Sequence, residues 1–295
     1  MAATLIDGKK IADEIRSEVR RDTDELKASA GTVPGLAFIL VGEDPASQAY
    51  VRMKGKACEE MGFYSVTEKL PADTTEEFLL RLIRRFNMDP RIHGILVQLP
   101  LPKHIGEANV LSAIDYRKDV DGFHPVNVGR LVVGQDCLKP CTPAGVQELL
   151  VRSGHDPAGK HVVVVGRSNI VGKPVMNILL QKQKGANAVV TIAHTGAPDI
   201  SLYTKQADIL VAAIGRPGAI TGAMIRPGAV VIDVGINRVE DPSAKNGYRL
   251  VGDVDFASAS AVAGAITPVP GGVGPMTIAL LMKNTLRAAQ GTVYL

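Results

Sequence analysis

Hydrophobic residues along the chain follow two periodicities that alternate. Ile11, Ile15 and Val19 recur at helical spacing, and residues 36–41 form a continuous apolar run typical of a buried strand. The same alternation continues through the first half of the chain, where it predicts helices at about residues 46–61 and 75–86 and strands at about residues 64–70 and 94–97. Helices that alternate with strands predict an α/β chain built on largely parallel sheets.

A second α/β region begins with a helix at residue 142. Residues 161–166 read His-Val-Val-Val-Val-Gly, a β-branched run that predicts a buried parallel strand, and a turn and a helix follow. Further strands are predicted at about residues 188–192, 208–214 and 229–234, which favours an open, doubly wound, Rossmann-like sheet.

The predicted boundary between two domains lies near residue 141, because residues 119–143 are rich in Gly, Pro and Asn and have little periodicity. The last helix, at about residues 275–289, is too apolar to stand in solvent, so we expect it to return to the first domain. The sequence therefore predicts an N-terminal α/β substrate domain over 1–141, completed by 275–295, and a Rossmann-like nucleotide-binding domain over 142–274.

Composition narrows the class of partner. The formal charge is +3 and basic residues are interleaved with acidic ones, so we expect a small-molecule partner and neither a nucleic-acid nor a membrane surface. Cys58, Cys137 and Cys141 lack zinc spacing and are too few for a disulfide framework, which favours reduced thiols and no metal site. With no apolar run near the N-terminus, we expect a cytoplasmic protein.

A candidate cofactor site follows the strand at 161–166. Residues 166–172 read Gly-Arg-Ser-Asn-Ile-Val-Gly and stand between a strand and a helix, where free amides and the helix dipole attract phosphate. The segment departs from the GxGxxG fingerprint, because Ser168 and Val171 occupy its second and third glycine positions. An ordinary tight turn is the alternative interpretation.

The next strand end bears on the choice of nucleotide. NAD enzymes usually present an acid there to the ribose diol, whereas this chain has Ala193, His194 and Thr195. Arg167 could instead pair with a 2′-phosphate, with the Thr195 hydroxyl as a second donor, so NADP is favoured over NAD. Arg167 could equally be a solvated surface charge, and His194 a structural residue or a cofactor neighbour.

Candidate chemistry lies in three separate places in the first domain. Tyr50 and Lys54 are four residues apart on a predicted helix and share one face. Gln98 follows a strand at its carboxyl end, where α/β proteins bind ligands, and Asp121 lies in a polar Lys-Asp-Val-Asp-Gly loop. Taken singly, these residues could be a half-buried tyrosine, a snorkelling lysine and a plain turn, so only their combination indicates a site.

Residues 267–277 place three glycines and three prolines directly before the last helix. Such a segment fixes the backbone and removes side chains where a flat ligand could approach, although a rigid interdomain hinge would have the same composition. We interpret it as serving both purposes.

Five ordered segments covering nearly the whole chain resemble the bifunctional methylenetetrahydrofolate dehydrogenase and methenyltetrahydrofolate cyclohydrolase family, the FolD type. The segments are Tyr50-Val-Arg-Met-Lys54, Gly94-Ile-Leu-Val-Gln-Leu-Pro-Leu-Pro102, Lys118-Asp-Val-Asp-Gly-Phe123 with the residues on to Asn127, Gly166-Arg-Ser-Asn-Ile-Val-Gly172, and Pro268-Val-Pro-Gly-Gly-Val-Gly-Pro275.

The resemblance implies NADP-dependent oxidation of 5,10-methylenetetrahydrofolate and hydrolysis of the methenyl product to 10-formyltetrahydrofolate by a homodimer. It implies that Tyr50 stacks on the folate, that Asp121 holds the pterin, and that Lys54, tuned by Gln98, is the acid/base group of hydrolysis. The further substrate contacts that it implies are Val97, Leu99, Pro270, Gly271, Gly272 and Gly274. The cofactor contacts that it implies are Gly166, Arg167, Ser168, Ile170, Thr195, Ile236 and Thr277.

The sequence departs from the family where the cofactor is chosen. Many relatives place Ser and a basic residue after the histidine of the second strand, whereas here Thr195 is followed by Gly196 and Ala197. A monofunctional NAD-dependent dehydrogenase is therefore one alternative. A catalytically silent nucleotide-binding protein is another, but it would be expected to have lost Lys54 or Asp121. A synthetase that uses ATP is disfavoured because the chain has no GxxxxGK[ST] loop.

Overall fold

The computed structural model describes residues 3–244 and 247–294. Its residues cluster into two compact units. The first unit contains Glu14–Cys141 and the C-terminal residues from Ile278 onward, and the second contains the N-terminal residues up to Asp13 together with Thr142–Thr277. The end of the chain thus returns to the first unit, as its apolar last helix predicts.

The helices and strands alternate along the chain. The helices are α1 (Gly8–Ala30), α2 (Pro45–Met61), α3 (Glu76–Met88), α4 (Glu107–Ala113), α5 (Pro125–Val132), α6 (Cys141–Arg152), α7 (Gly172–Leu179), α8 (Ser201–Thr204), α9 (Phe256–Ser260) and α10 (Val273–Gln290). The strands are β1 (Thr4–Leu5), β2 (Gly35–Val41), β3 (Tyr64–Leu70), β4 (Gly94–Val97), β5 (His161–Val165), β6 (Val189–Ala193), β7 (Ile209–Ala212), β8 (Val230–Asp233), β9 (Asn237–Glu240), β10 (Tyr248–Val251) and β11 (Ala265–Ile266).

The first unit is organised around a short parallel sheet of order β3-β2-β4. Every residue of β2 is buried, and α3 covers the sheet with Leu79 and Ile83, both fully buried. Beyond β4 the chain makes one more parallel bridge, between Ile95 and Asp119. Because parallel neighbours run in the same direction, Asp121 emerges at the carboxyl end of β4, near Gln98.

Helix α2, which carries Tyr50 and Lys54, has well-defined ends. Asp44 accepts a hydrogen bond from the Ser47 amide at 2.7 Å, and Pro45 occupies the first turn, where its missing N–H costs nothing. Gly62 ends the helix at a φ of 70°, in the left-handed region that favours glycine. These caps fix the start and the end of the helix that carries the two side chains.

The second unit contains a parallel sheet of order β1-β11-β8-β7-β5-β6. From β5 the chain adds β6 on one side and β7 on the other, so the strand order reverses at β5. In doubly wound sheets such a reversal leaves a crevice at the carboxyl ends of the strands, where ligands bind. The α/β class and the Rossmann-like sheet predicted from the sequence are confirmed.

Two features of the second unit differ from the sequence prediction. The domain boundary predicted above places the first residues of the chain in the first domain, whereas β1 pairs with β11 through Thr4 and Ala265. A strand of two residues has no periodicity to detect. The pattern also gives no sign of the antiparallel hairpin formed by β9 and β10.

The described residues contain neither a membrane-spanning helix nor a cluster of metal-binding side chains. Within 3–244 and 247–294, no helix has the length and apolar character needed to cross a membrane. Across the same residues, no group of three or more His, Cys, Asp or Glu side chains could hold a metal ion.

Candidate active site

The side chains of Lys54 and Gln98 meet in the first unit. Lys54 is 7% exposed, and its Nζ donates to Gln98 Oε1 at 3.1 Å. Gln98 Nε2 donates to the Leu99 carbonyl at 2.7 Å, which fixes which end of the amide faces the amine. The Lys54 amine is therefore held by an oriented acceptor.

Asp121 lies close enough to Lys54 for their charges to interact. Burial raises the pKa of Asp121 above its ordinary value, and the Lys54 charge opposes that rise. The loop turns at Gly122, whose φ is 74° and whose absent Cβ would lie 2.5 Å from the Pro140 nitrogen. Only glycine fits there, so the direction of the Asp121 backbone is tightly constrained.

The neighbouring Cys141 has no nucleophilic character. Its side chain is 2% exposed, and burial raises its pKa well above the ordinary thiol value. Its Sγ donates to the Val120 carbonyl at 3.3 Å. Thiolate chemistry is therefore disfavoured, and the acid/base candidates in this unit are Lys54 and Asp121.

Tyr50 completes the group on the same helix. Its ring is 40% exposed one turn before Lys54, an arrangement that suits an aromatic surface waiting to be covered. The structure thus brings Lys54 together with Gln98 and with Asp121, and places Tyr50 on the adjoining turn. The substrate contacts predicted at Val97 and Leu99 flank Gln98 and stay predictions.

The turn at residues 166–172 in the second unit suits a bound phosphate. Gly166 has a φ of 130°, and a Cβ there would lie 2.0 Å from the Ala213 carbonyl oxygen. A Cβ on Gly172 would lie 2.1 Å from the Gly166 carbonyl oxygen. Because both glycines are required sterically, the turn packs closely against α7, which opens with its amides at the phosphate position.

Ser168 replaces the second glycine of the fingerprint and has a structural task. Its Oγ accepts from the Val171 and Gly172 amides at 3.1 and 3.3 Å, so it caps the start of α7. The hydroxyl hydrogen remains available to a phosphate oxygen, because the oxygen acts only as an acceptor in both bonds. Ile170, 43% exposed, stands on the same turn.

The side chains of Arg167 and His194 lie next to each other, after β5 and after β6. The Gly196 amide donates to His194 Nδ1 at 3.0 Å, so in the neutral ring the proton sits on Nε2. Arg167 Nη1 lies 3.4 Å from that Nε2, and no carboxylate is paired with Arg167 within the described residues. With the His194 proton on Nε2, Arg167 and His194 are adjacent donors of a kind that suits an anion.

The position of the His194 ring accounts for the glycine at residue 196. A Cβ at residue 196 would lie 2.8 Å from His194 Cε1, so a side chain there would displace the imidazole. Thr195 is exposed beside it and has no internal hydrogen bond among the contacts of the described chain. Glycine at position 196 thus lets the His194 imidazole keep this position.

The other predicted cofactor residues are spread through the second unit. Ile236 is 45% exposed just after β8, and Thr277 Oγ1 lies 2.8 Å from Thr142 Oγ1 near the start of α10. In the Pro- and Gly-rich segment at residues 267–277, the Gly271 carbonyl accepts from the Lys9 amide at 3.1 Å. This bond ties the segment to the start of α1. The substrate contacts predicted at Pro270, Gly271, Gly272 and Gly274 stay predictions.

Two buried carboxylates, which the sequence interpretation missed, hold the loops at the carboxyl edge of this sheet. Asp253 is fully buried and accepts from the Ile214 and Gly215 amides at 2.6 and 2.8 Å. Asp233 is 4% exposed and accepts from the Gly235 and Val254 amides, both at 2.9 Å. Each acid lies within a few residues of a glycine, but that spacing is too common to have signalled this role.

The fold and the two groups of side chains define a class of protein. A domain with a buried, oriented lysine is joined in sequence to a doubly wound domain whose strand-to-helix turn and paired donors suit a phosphorylated dinucleotide. This is the arrangement of a dinucleotide-linked enzyme with its own acid/base group.

Comparison with known proteins identifies the family. Residues 6–121 match the catalytic domain, and residues 140–293 the NAD(P)-binding domain, of tetrahydrofolate dehydrogenase/cyclohydrolase. The chain is 60% identical over 288 residues to the bifunctional protein FolD of Chlorobium chlorochromatii, covering 97% of this chain and 98% of that protein. The chain belongs to the tetrahydrofolate dehydrogenase/cyclohydrolase family, as the sequence segments predict.

Solved structures agree with this assignment. The bifunctional FolD enzyme of Campylobacter jejuni superposes with a TM-score of 0.92 at 47% identity, covering 98% of this chain and 99% of that chain. FolD of Trypanosoma brucei, solved with NADP cofactor and an inhibitor, superposes with a TM-score of 0.93 at 44% identity and covers 100% of both chains.

Asp233 gives a test of the buried carboxylates. Burial raises the pKa of Asp233 from 3.8 to about 6, so across that interval the folded protein binds more protons than the unfolded one. Stability from this group is complete below pH 3.8 and is lost as the pH rises through 6. Asp233→Asn should reduce the fall in unfolding free energy over this window by up to about 3 kcal/mol.

The measurement is urea unfolding of the wild-type and Asp233→Asn proteins at intervals from pH 4 to pH 7. The comparison concerns slopes against pH, since the substitution also disturbs the hydrogen bonds that Asp233 accepts from three backbone amides and lowers stability throughout. Identical slopes would mean that Asp233 is ionised in the fold at low pH.

Proposed function

We propose that the chain oxidises 5,10-methylenetetrahydrofolate to 5,10-methenyltetrahydrofolate with NADP and hydrolyses that product to 10-formyltetrahydrofolate. The observation that carries the proposal is the buried Lys54 amine, held by Gln98 with Asp121 close by. It is supported by relatives named bifunctional FolD at 57–60% identity across nearly the whole chain.

Hydrolysis is the step that asks most of the side chains. Water adds to the cationic methenyl carbon, loses a proton, and the ring C–N bond at N5 then breaks to leave the formyl group on N10. Lys54 is the group that accepts and returns protons, because its amine is shielded from water and oriented by a single acceptor. The Gln98 amide is neither an acid nor a base near neutral pH, so it serves to orient that amine.

Asp121 and Tyr50 hold the substrate. Burial raises the pKa of Asp121, so its carboxyl can either accept hydrogen bonds or donate one. The edge of a pterin presents both kinds of partner, adjacent N–H donors and a ring nitrogen. The exposed Tyr50 ring offers a flat surface for an aromatic part of the folate. Both residues act by binding and orientation.

Hydride transfer relies on placement more than on acid/base chemistry. NADP would supply the hydride acceptor when bound, and the protein would contribute by holding the two reactants in order. The turn of Gly166 and Ser168 would hold the pyrophosphate, and Ile170, Thr195, Ile236 and Thr277 are proposed as further contacts of the nucleotide.

The pair of donors at Arg167 and His194 supports NADP over NAD. A 2′-phosphate supplies the acceptor that Arg167 Nη1 and His194 Nε2 lack, and no acid stands at the end of β6 to repel it. A monofunctional NAD-dependent dehydrogenase is the weaker candidate, because it would need neither the donor pair nor the buried lysine.

We also propose a cytoplasmic homodimer as the working form of the enzyme. Both points rest on the family and on the composition of the chain, with its three buried cysteines and small net charge. Folate derivatives and the nucleotide are the partners expected, and nucleic acid and membrane are not.

Lys54→Met tests the hydrolytic half of the proposal. Methionine fills the same volume without an exchangeable proton, so methenyltetrahydrofolate hydrolysis should fall by at least about 100-fold while the protein folds and binds NADP. The assay follows the decay of methenyl absorbance with enzyme, and NADP binding is measured by titration.

Lys56→Met is the matched control, since Lys56 lies on the same helix with its side chain 76% exposed. It should hydrolyse at the wild-type rate. Undiminished hydrolysis in Lys54→Met would overturn the role given to Lys54.

Arg167→Ala tests the choice of nucleotide. Losing a charged donor to a phosphate should raise the Michaelis constant for NADP about tenfold or more and leave that for NAD almost unchanged. Initial rates with each nucleotide at saturating methylenetetrahydrofolate measure both constants.

Lys173→Ala provides the comparison, because Lys173 is a nearby cation whose Nζ donates to Asn169 instead. Its effect on the two nucleotides should be small and alike. If Arg167→Ala weakens NADP and NAD equally, Arg167 does not read the 2′-phosphate.

A further inference from the structure

Helix α10 of the first unit contacts the loop that carries Asp121 through hydrogen bonds. Asn284 on α10 is 5% exposed, and its Nδ2 donates to the carbonyls of Val120 and Lys139, each at 2.8 Å. An amide nitrogen has two hydrogens, so both are used by these carbonyls, and Cys141 Sγ is a weaker partner at 3.6 Å. The Asn284 side chain therefore links Val120, the residue before Asp121, to Lys139.

Close packing around Gly122 limits the movement of the same loop. The backbone of Gly122 is pressed against residues 138–140, so the loop has no room to shift toward them. Asn284 fixes the separation of the same two segments from the side. With the bridge in place, the backbone that leads to Asp121 is held fixed, and the Asp121 carboxyl stays within reach of the Lys54 charge.

A second contact from the end of the chain reaches the residue before Val120. Tyr294 donates from its hydroxyl to Asn127 Oδ1 at 2.6 Å, and Asn127 Nδ2 donates to Asp119 Oδ2 at 2.8 Å. Asp119 is 1% exposed, and its Oδ2 accepts from this Asn127 amide and from the His124 backbone amide, the latter at 2.7 Å. Both residues before Asp121 are thus tied to the last residues of the chain.

We propose that Asn284 is a positioning residue for Asp121, acting through the Val120 carbonyl, and that it sets the affinity of the first unit for reduced folate. The proposal rests on the proposed function, since it takes Asp121 to hold the pterin. Asn284 touches no substrate in this account, and its effect is carried by the backbone.

The test uses the full-length protein and tetrahydrofolate as the probe, with its dissociation constant measured by titration. Asn284→Ala should weaken tetrahydrofolate about tenfold and leave NADP affinity unchanged, because a small displacement of a binding group is costly. Thr285→Val is the matched control: Thr285 is equally buried on α10, but its hydroxyl donates to Leu281 within the helix. It should bind tetrahydrofolate as the wild type does.

A double-mutant cycle separates positioning from general loosening. If Asn284 acts through Asp121, then adding Asn284→Ala to Asp121→Asn should change the dissociation constant by less than about twofold. A full tenfold effect in that background, or wild-type affinity in Asn284→Ala alone, would overturn the proposal. Asn284→Asp, which keeps the shape of the side chain, is carried through the same cycle should the alanine variant not fold.

The same titrations distinguish this inference from the proposed function. A wild-type protein that fails to bind tetrahydrofolate would refute the proposed function itself. A wild-type protein that binds it, together with an Asn284→Ala variant of equal affinity, would refute only the role of Asn284.

Discussion

A buried amine needs an acceptor that stays in place, and the hydrogen bond from Lys54 to Gln98 meets that need. The bond requires α2 to begin at its Asp44 cap and β4 to end where the Gln98 side chain can turn inward. It also requires the Leu99 carbonyl to keep the Gln98 amide from flipping. Helix, strand and loop in the first unit are therefore constrained by one interaction.

The two units solve different physical problems. The first unit buries the Lys54 amine and orients it with a neutral partner, as the proposed proton transfer requires. The second unit presents exposed donors, in a glycine-rich turn and at the Arg167–His194 pair, so that a charged ligand completes it. The proposed acid/base chemistry and the proposed anion recognition thus use separate sets of contacts.

The sequence predicted the elements that contain several hydrophobic residues in a regular pattern. It did not predict very short strands or contacts between residues far apart in the chain. The run at residues 36–41 and the β-branched strand β5 were predicted because burial on both faces leaves a clear pattern. β1 was missed because two residues carry no pattern, and Asn284 because its amide meets partners more than 140 residues away. Likewise, the donor pair at His194 depends on which ring nitrogen Gly196 engages, which no spacing predicts.

The most direct test of the central claim follows both reactions in one cuvette. Wild-type protein is given methylenetetrahydrofolate and a limiting amount of NADP, and the methenyl absorbance is recorded until the nucleotide is exhausted and beyond. The account predicts that the methenyl product appears only with nucleotide and then decays faster than in an enzyme-free solution of the same buffer. Decay at the uncatalysed rate, or no methenyl product at all, would contradict it.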